Sequence, residues 1–237
     1  MKTVKIANVA KTAVFATVAA ALALGLSSPS DAAAGTMYGD PAAAAKWWHH
    51  QQFDDCAIMS AADVIGQITG KEPSEKAIIK KAQSTPSPNH PGSIYIKPAD
   101  LKNPNSGKGT AWPDVVALLK QYGVDAEISN IDHLPKTGVP LRIEDVEQLL
   151  AGGHALIVGV NAEMIWGLPV FTLDDEGNPD ADHAVVLTGI DTANNIVHLN
   201  DSGDEEGRDE KVPLELFMKS WKTSGDLVIV TTGTIKK

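Results

Sequence analysis

The chain contains a single cysteine, Cys56, among 237 residues. One thiol cannot close a disulfide within the chain, so a small cross-linked scaffold is excluded. Aromatic residues are scarce at 5%, and cations are outnumbered, with 20 Lys and Arg against 30 Asp and Glu. A formal charge of -10 offers little to a phosphate backbone and argues against a nucleic-acid partner. Long apolar runs are missing too. Thr12–Leu26 is uncharged and mostly apolar, but it falls short of the roughly 20 residues that span a bilayer, and no later segment is long enough. What remains, 43% hydrophobic and 21% charged with 20 Gly and 14 Pro, is a globular composition.

The short apolar run has a different meaning in context. Lys2, Lys5 and Lys11 precede it, and Ala32 and Ala34 follow as an Ala-x-Ala site. That order describes a secretory signal peptide over residues 1–34, cleaved near Ala34. The mature chain is then expected outside the cell or in the cell envelope, with no membrane span. Residues 35–45 are small and turn-rich and read as a flexible leader. One domain is expected from 46 to 237.

Within that domain, apolar residues at Ile58, Ala61, Ala62, Ile65 and Ile68 predict an amphipathic helix over 56–68, stopped by Gly70. Asp55 is a candidate N-cap, which puts Cys56 in the first turn. Further helices are predicted over 75–83, 111–122, 143–151 and 214–221, and strands over 124–128, 154–160, 184–190, 196–200 and 227–232. Residues 84–109 read as a long loop. Helices crowd the first half and strands the second, which argues for an α+β fold.

Cys56 has two bland readings, a buried apolar residue or an intermolecular bridge. It also has a sharp one. A thiol at a helix N-terminus meets the positive end of the macrodipole, and first-turn N–H groups can receive an oxyanion. Asp54 and Asp55 oppose this, because neighbouring carboxylates disfavour a second negative charge. A histidine partner is therefore required. His49 and His50 lie beside Trp47 and Trp48, His90 and His133 lie in loops without partners, and His154 and His198 sit on strands. His183 begins the strongest strand, Ala184–Ile190, and Asn200-Asp201 closes the next one. If these strands pair as a hairpin, His183 lies near Asp201, which could orient the imidazole or serve as an ordinary turn residue. Asp174, Asp175, Asp180 and Asp182 miss the register of a calcium loop and read as a solvated turn. Trp112, Trp166 and Trp221 read as core, with Trp166–Pro169 also a candidate groove wall.

Four segments, Gln51–Ser60, Gly152–Gly159, His183–Asp191 and Ile196–Asp201, resemble the bacterial C39 and C39-like peptidases, which are papain-like cysteine peptidases. The resemblance runs from about residue 46 to the C-terminus. It implies a papain-like α+β fold with a nucleophile helix on an antiparallel sheet. Cys56 would be the nucleophile, His183 the proton carrier and Asp201 its orienter. A Gln upstream of the Cys would donate to the oxyanion. The family places that Gln six residues before the Cys, where this chain has His50, so Gln51 is the first choice and Gln52 the alternative. Ala57 stands where many relatives have Gly. The implied substrate is a peptide or protein, and no cofactor or metal is called for. A secreted thiol peptidase is thus expected, with an amidase or transacylase, or a non-catalytic peptide-binding module, as the alternatives on the same fold.

Overall fold

The computed structural model describes residues 35–97, 109–129 and 142–235. The signal peptide expected at 1–34, residues 98–108 of the expected loop, and His133 lie outside them. Along the chain the elements are β1 (Met37–Gly39), α1 (Pro41–Ala44), α2 (Cys56–Thr69), α3 (Glu75–Ser84), α4 (Trp112–Lys120), β2 (Ala126–Ser129), α5 (Ile143–Ala151) and β3 (His154–Val160). Then come α6 (Ala162–Ile165), β4 (His183–Asp191), β5 (Ile196–Asn200), β6 (Glu210–Pro213), α7 (Leu214–Trp221) and β7 (Val228–Thr234). Helices and an antiparallel sheet therefore share the chain, as the sequence predicts.

The sheet runs β2-β7-β3-β4-β5-β6, with every pairing antiparallel. Its centre is β4, a nine-residue strand buried along almost its whole length. On one edge of β4, β3 pairs with His183–Leu187 and β1 takes over at Gly189–Asp191. This corrects the reading of residues 35–45 as a flexible leader. Met37–Gly39 completes the ladder, and Asp40 caps α1 by accepting from the Ala43 N–H at 3.0 Å. A three-residue strand with little periodicity leaves no pattern to read. Its order comes from the unpaired edge of β4.

Apolar groups cover both faces of this sheet. One face carries α2, α3 and α4 through Ile58, Ile65, Ile78, Leu118 and Ile157. The other carries α5 and α7 through Val146, Leu156, Leu187, Phe217 and Trp221. Each fully buried Ile or Leu contributes roughly 1.5–3 kcal/mol. The amphipathic helix expected from Cys56 onward is instead buried on nearly every side, from Cys56 through Gln67. Its small residues permit that closeness. A Cβ on Gly66 would come within 2.6 Å of the Trp47 ring. Ser60 Oγ donates to the Ala184 carbonyl at 3.0 Å and fixes α2 against β4.

Burial extends to carboxyl groups. Asp63 accepts from Gln67 Nε2 at 2.6 Å and Asn200 Nδ2 at 2.7 Å, yet burial still pushes it up to about 7. Burial and then the Asp63 charge push Glu72 up to about 8. Burial, followed by Asp201 and Asp204, raises Glu210 to about 7. Carboxyls whose folded pKa exceeds the unfolded value bind protons more readily in the native state. Their stabilising contribution is complete below about pH 4 and is lost as pH rises through 7 to 8. The midpoint of thermal unfolding is therefore expected to be higher at pH 5.5 than at pH 8, and Glu72→Gln should flatten that slope. Calorimetry across this range checks it.

Candidate active site

Cys56 is the first residue of α2, behind the bend at Gln52–Asp54. Asp55 occupies the N-cap position, but its side chain caps nothing. The carboxyl turns inward, 2% exposed. Burial, and then the nearby Glu75 and Asp54 charges, raise it to about 8. Near neutral pH Asp55 is thus largely uncharged, and the repulsion that the sequence places beside the thiol is mostly absent. Asp54 is also raised, by burial first and by Asp182, against the opposing effect of His183.

The pairing of β4 with β5 places Val186 opposite Asn200. The start of one strand therefore lies beside the end of the other. His183 Nε2 donates to Asp201 Oδ1 at 2.6 Å, and both side chains are buried. With Nε2 engaged, Nδ1 is the ring nitrogen left to face the cavity that His183 shares with Cys56. Burial alone would strip His183 of its proton. The charges of Asp201 and Cys56, with their hydrogen bonds, overcome this and hold it well above the usual histidine range. Burial would likewise raise Asp201. The imidazolium, the Trp166 indole N–H (2.9 Å) and the Gly203 N–H (2.7 Å) keep it below the usual carboxylate range instead.

The structure brings Cys56, His183 and Asp201 together, and it places the two glutamines differently from one another. Gln51 is tied to the residue after Asp201: its N–H donates to the Ser202 carbonyl at 2.9 Å, and its Oε1 accepts from Ser202 Oγ at 2.8 Å. Gln52 is exposed and held through its backbone N–H by Glu75. A cavity of about 610 Å³ opens over the thiol, with Asp54, Cys56, His90, Trp112, Asp182 and His183 in its wall. Neither glutamine is among the described residues that line it.

Several further residues enter the site. Trp166 sets its ring 5.3 Å from the His183 ring and covers the His–Asp pair. Of its two readings, core or groove wall, it takes the site over the core, whereas Trp221 is core at 1% exposure. Trp112, also expected in the core, lines the cavity. Trp48 donates its indole N–H to the Asp201 carbonyl. Gly203 lets the loop close over the imidazole, since a Cβ there would sit 2.9 Å from His183 Cε1. His90 has a partner after all, Asp114 at 3.2 Å. His154 and His198 are satisfied by the Thr231 carbonyl and by Asp209, both at 2.7 Å. Asp174, from the acidic turn, accepts from the N–H groups of Glu176 and Asn178 and closes a tight turn. No helix among the described residues is long and apolar enough to cross a membrane.

Comparison with known proteins follows the same outline. An uncharacterized protein of Mycobacterium bovis and one of Mycobacterium tuberculosis are each 63% identical over 232 residues, covering 98% of this chain and all of theirs. A crystal structure described as that of a C39-like peptidase from Bacillus anthracis superposes with a TM-score of 0.54. It covers 81% of this chain and 97% of that one at 19% identity, a likeness of fold. The Peptidase_C39 like family matches residues 42–229, which span β4, β5 and the Cys56 helix. The chain belongs to the C39-like peptidase family.

Proposed function

We propose that the protein is an exported cysteine peptidase in which Cys56 attacks a peptide carbonyl, His183 carries the proton and Asp201 orients His183. The observation that supports this most directly is the imidazole between a carboxylate and a thiol. Nε2 is bonded to Asp201 at 2.6 Å, and His183 and Cys56 line the same open cavity. In the acylation step Cys56 Sγ bonds to the carbonyl carbon, whose π electrons move to oxygen. Collapse of that oxyanion breaks the C–N bond, and His183 gives its proton to the departing amine. Water, deprotonated by His183, then releases the acyl group and restores the thiol.

Gln51 serves the oxyanion in this reading. Ser202 Oγ donates to its Oε1 in this orientation, which leaves Nε2 as the donor. The Cys56 N–H is the second donor, since a first-turn N–H has no carbonyl inside its own helix. Export fits the same picture, because the fold takes up its first strand at Met37, just past the expected cleavage at Ala34.

A quenched-fluorescent peptide library tests the reading. Wild type should cleave members of it, and Cys56→Ala should cleave none. His183→Ala should lower the rate by about 10³-fold and also slow iodoacetamide labelling of Cys56. Library cleavage that survives Cys56→Ala, or a native thiol that labels no faster than a free model thiol, contradicts it. Asp201→Asn should move the alkaline limb of the pH–rate profile toward acid, because the charge that keeps His183 protonated is gone. Gln51→Ala should cost about 10²-fold in kcat, with Ser202→Ala losing less, while labelling by iodoacetamide, which forms no oxyanion, stays near wild type for both. Intact-mass measurement of the exported protein should find an N-terminus near Gly35; a chain retaining Lys2 contradicts export with cleavage.

A further inference from the structure

Trp166, Leu168, Phe171 and Leu173 are 37%, 50%, 75% and 51% exposed, four large apolar groups within eight residues. Apolar surface gathered in one place on a chain of this kind marks contact with another molecule. The segment is firmly held. Leu168 N–H donates to the Glu163 carbonyl at 2.8 Å, and Leu173 pairs with Pro179 in an antiparallel bridge. The buried Glu163 carboxylate accepts from Thr172 Oγ1 at 2.7 Å. Phe171 and Leu173, on either side of Thr172, are thus exposed on fixed backbone, which limits the entropy lost when they are covered.

Both ends of this strip contact residues of the cavity wall, on its His183 side. Trp166 lies against the His183 ring and bonds Asp201. Thr172 Oγ1 is 3.2 Å from Asp182 Oδ2, and Asp182 is part of the cavity wall. In acyl transfer to Cys56 the proton from His183 goes to the departing amine, so the half of the substrate that carries that amine leaves over the imidazole. Just beyond the strip the chain turns acidic, with Asp174, Asp175, Glu176, Asp180 and Asp182 and no Lys or Arg between residues 161 and 182.

We infer that the 166–173 strip binds the C-terminal, leaving half of a polypeptide substrate, seating apolar side chains next to the scissile bond and basic ones against the acidic turn. This rests on the peptidase reading and adds a substrate class to it: segments with an apolar-then-basic sequence after the cleaved bond. Continuity of the strip with His183 and Asp182, together with the sign of its rim, selects this occupant over a second copy of the acidic chain.

Two internally quenched peptides with the same N-terminal half test it, one continuing Leu-Phe-Lys-Lys after the scissile bond and the other Ser-Ser-Asp-Asp. Wild type should favour the first by about tenfold or more in kcat/KM. Phe171→Ser and Leu173→Ser should bring that ratio toward one through KM and not kcat. A coumarin amide of the same N-terminal half, with no peptide on the leaving side, reports damage to the cysteine chemistry itself. Equal cleavage of both peptides by wild type overturns the inference, as does an equal loss on the coumarin amide in the variants. If wild type cleaves nothing, the peptidase reading fails, and the strip is judged by fluorescence polarisation on Cys56→Ala protein. There the Leu-Phe-Lys-Lys peptide should bind more tightly than its partner and lose that preference with Phe171→Ser; absence of any preference overturns the inference.

Discussion

A buried imidazole bonded to a carboxylate, in the wall of the cavity it shares with a thiol, is the contact on which this structure turns, and a strand register creates it. Because Val186 of β4 lies opposite Asn200 of β5, His183 and Asp201 sit at adjacent ends of antiparallel strands. Their carboxylate–imidazole bond of 2.6 Å follows from backbone pairing rather than from a flexible search by side chains. Shifting either strand by one residue would turn its side chains to the opposite face of the sheet and separate the pair. The bond between Ser60 on α2 and the Ala184 carbonyl beside His183 then fixes the third partner, since Cys56 begins the same helix.

Charge around that contact is managed by burial. The sequence sets Asp54 and Asp55 next to the thiol, an arrangement that on paper opposes a thiolate. Folding removes Asp55 from water and raises it to about 8, so its negative charge is mostly withheld near neutrality. Asp201 receives three donors and keeps its charge. Two carboxyls, Asp55 next to the thiol and Asp201 on the imidazole, are thereby driven in opposite directions by their surroundings. The same burial raises Asp63, Glu72 and Glu210 and couples the stability of the chain to mild acidity.

Much of this is legible in the sequence where a strong period or a local signal exists. The 3.6-residue pattern of 143–151 and 214–221 and the apolar runs of 154–160 and 196–200 give those elements their observed bounds. The nearness of His183 to Asp201 follows from one assumption, that two consecutive strands form a hairpin. Other features are tertiary and leave no local trace. Met37–Gly39 has too few residues to show alternation and is ordered by the open edge of β4. The helix at Cys56 reads as amphipathic because Ser60, Asp63 and Gln67 look like a solvent face, yet all three are buried, Ser60 and Asp63 on the distant Ala184 and Asn200 and Gln67 on Asp63. Asp55 reads as a cap from its position, and only its burial, with no bond to the helix N–H groups, reveals that it is not one. Ser202 follows Asp201 directly, so the tie to Gln51 could have been sought there; Trp166 is readable as a candidate groove wall, but its contacts with His183 and Asp201 are tertiary.

The central claim is that His183 is held as an imidazolium between Asp201 and Cys56. NMR titration of the imidazole carbons in selectively labelled protein measures this directly, with His183→Gln for assignment. The account predicts a His183 pKa well above the free-histidine value of about 6.5, falling when Cys56→Ala removes the sulfur and falling further when Asp201→Asn removes the carboxylate. A ring that titrates near 6.5 in all three proteins would contradict it.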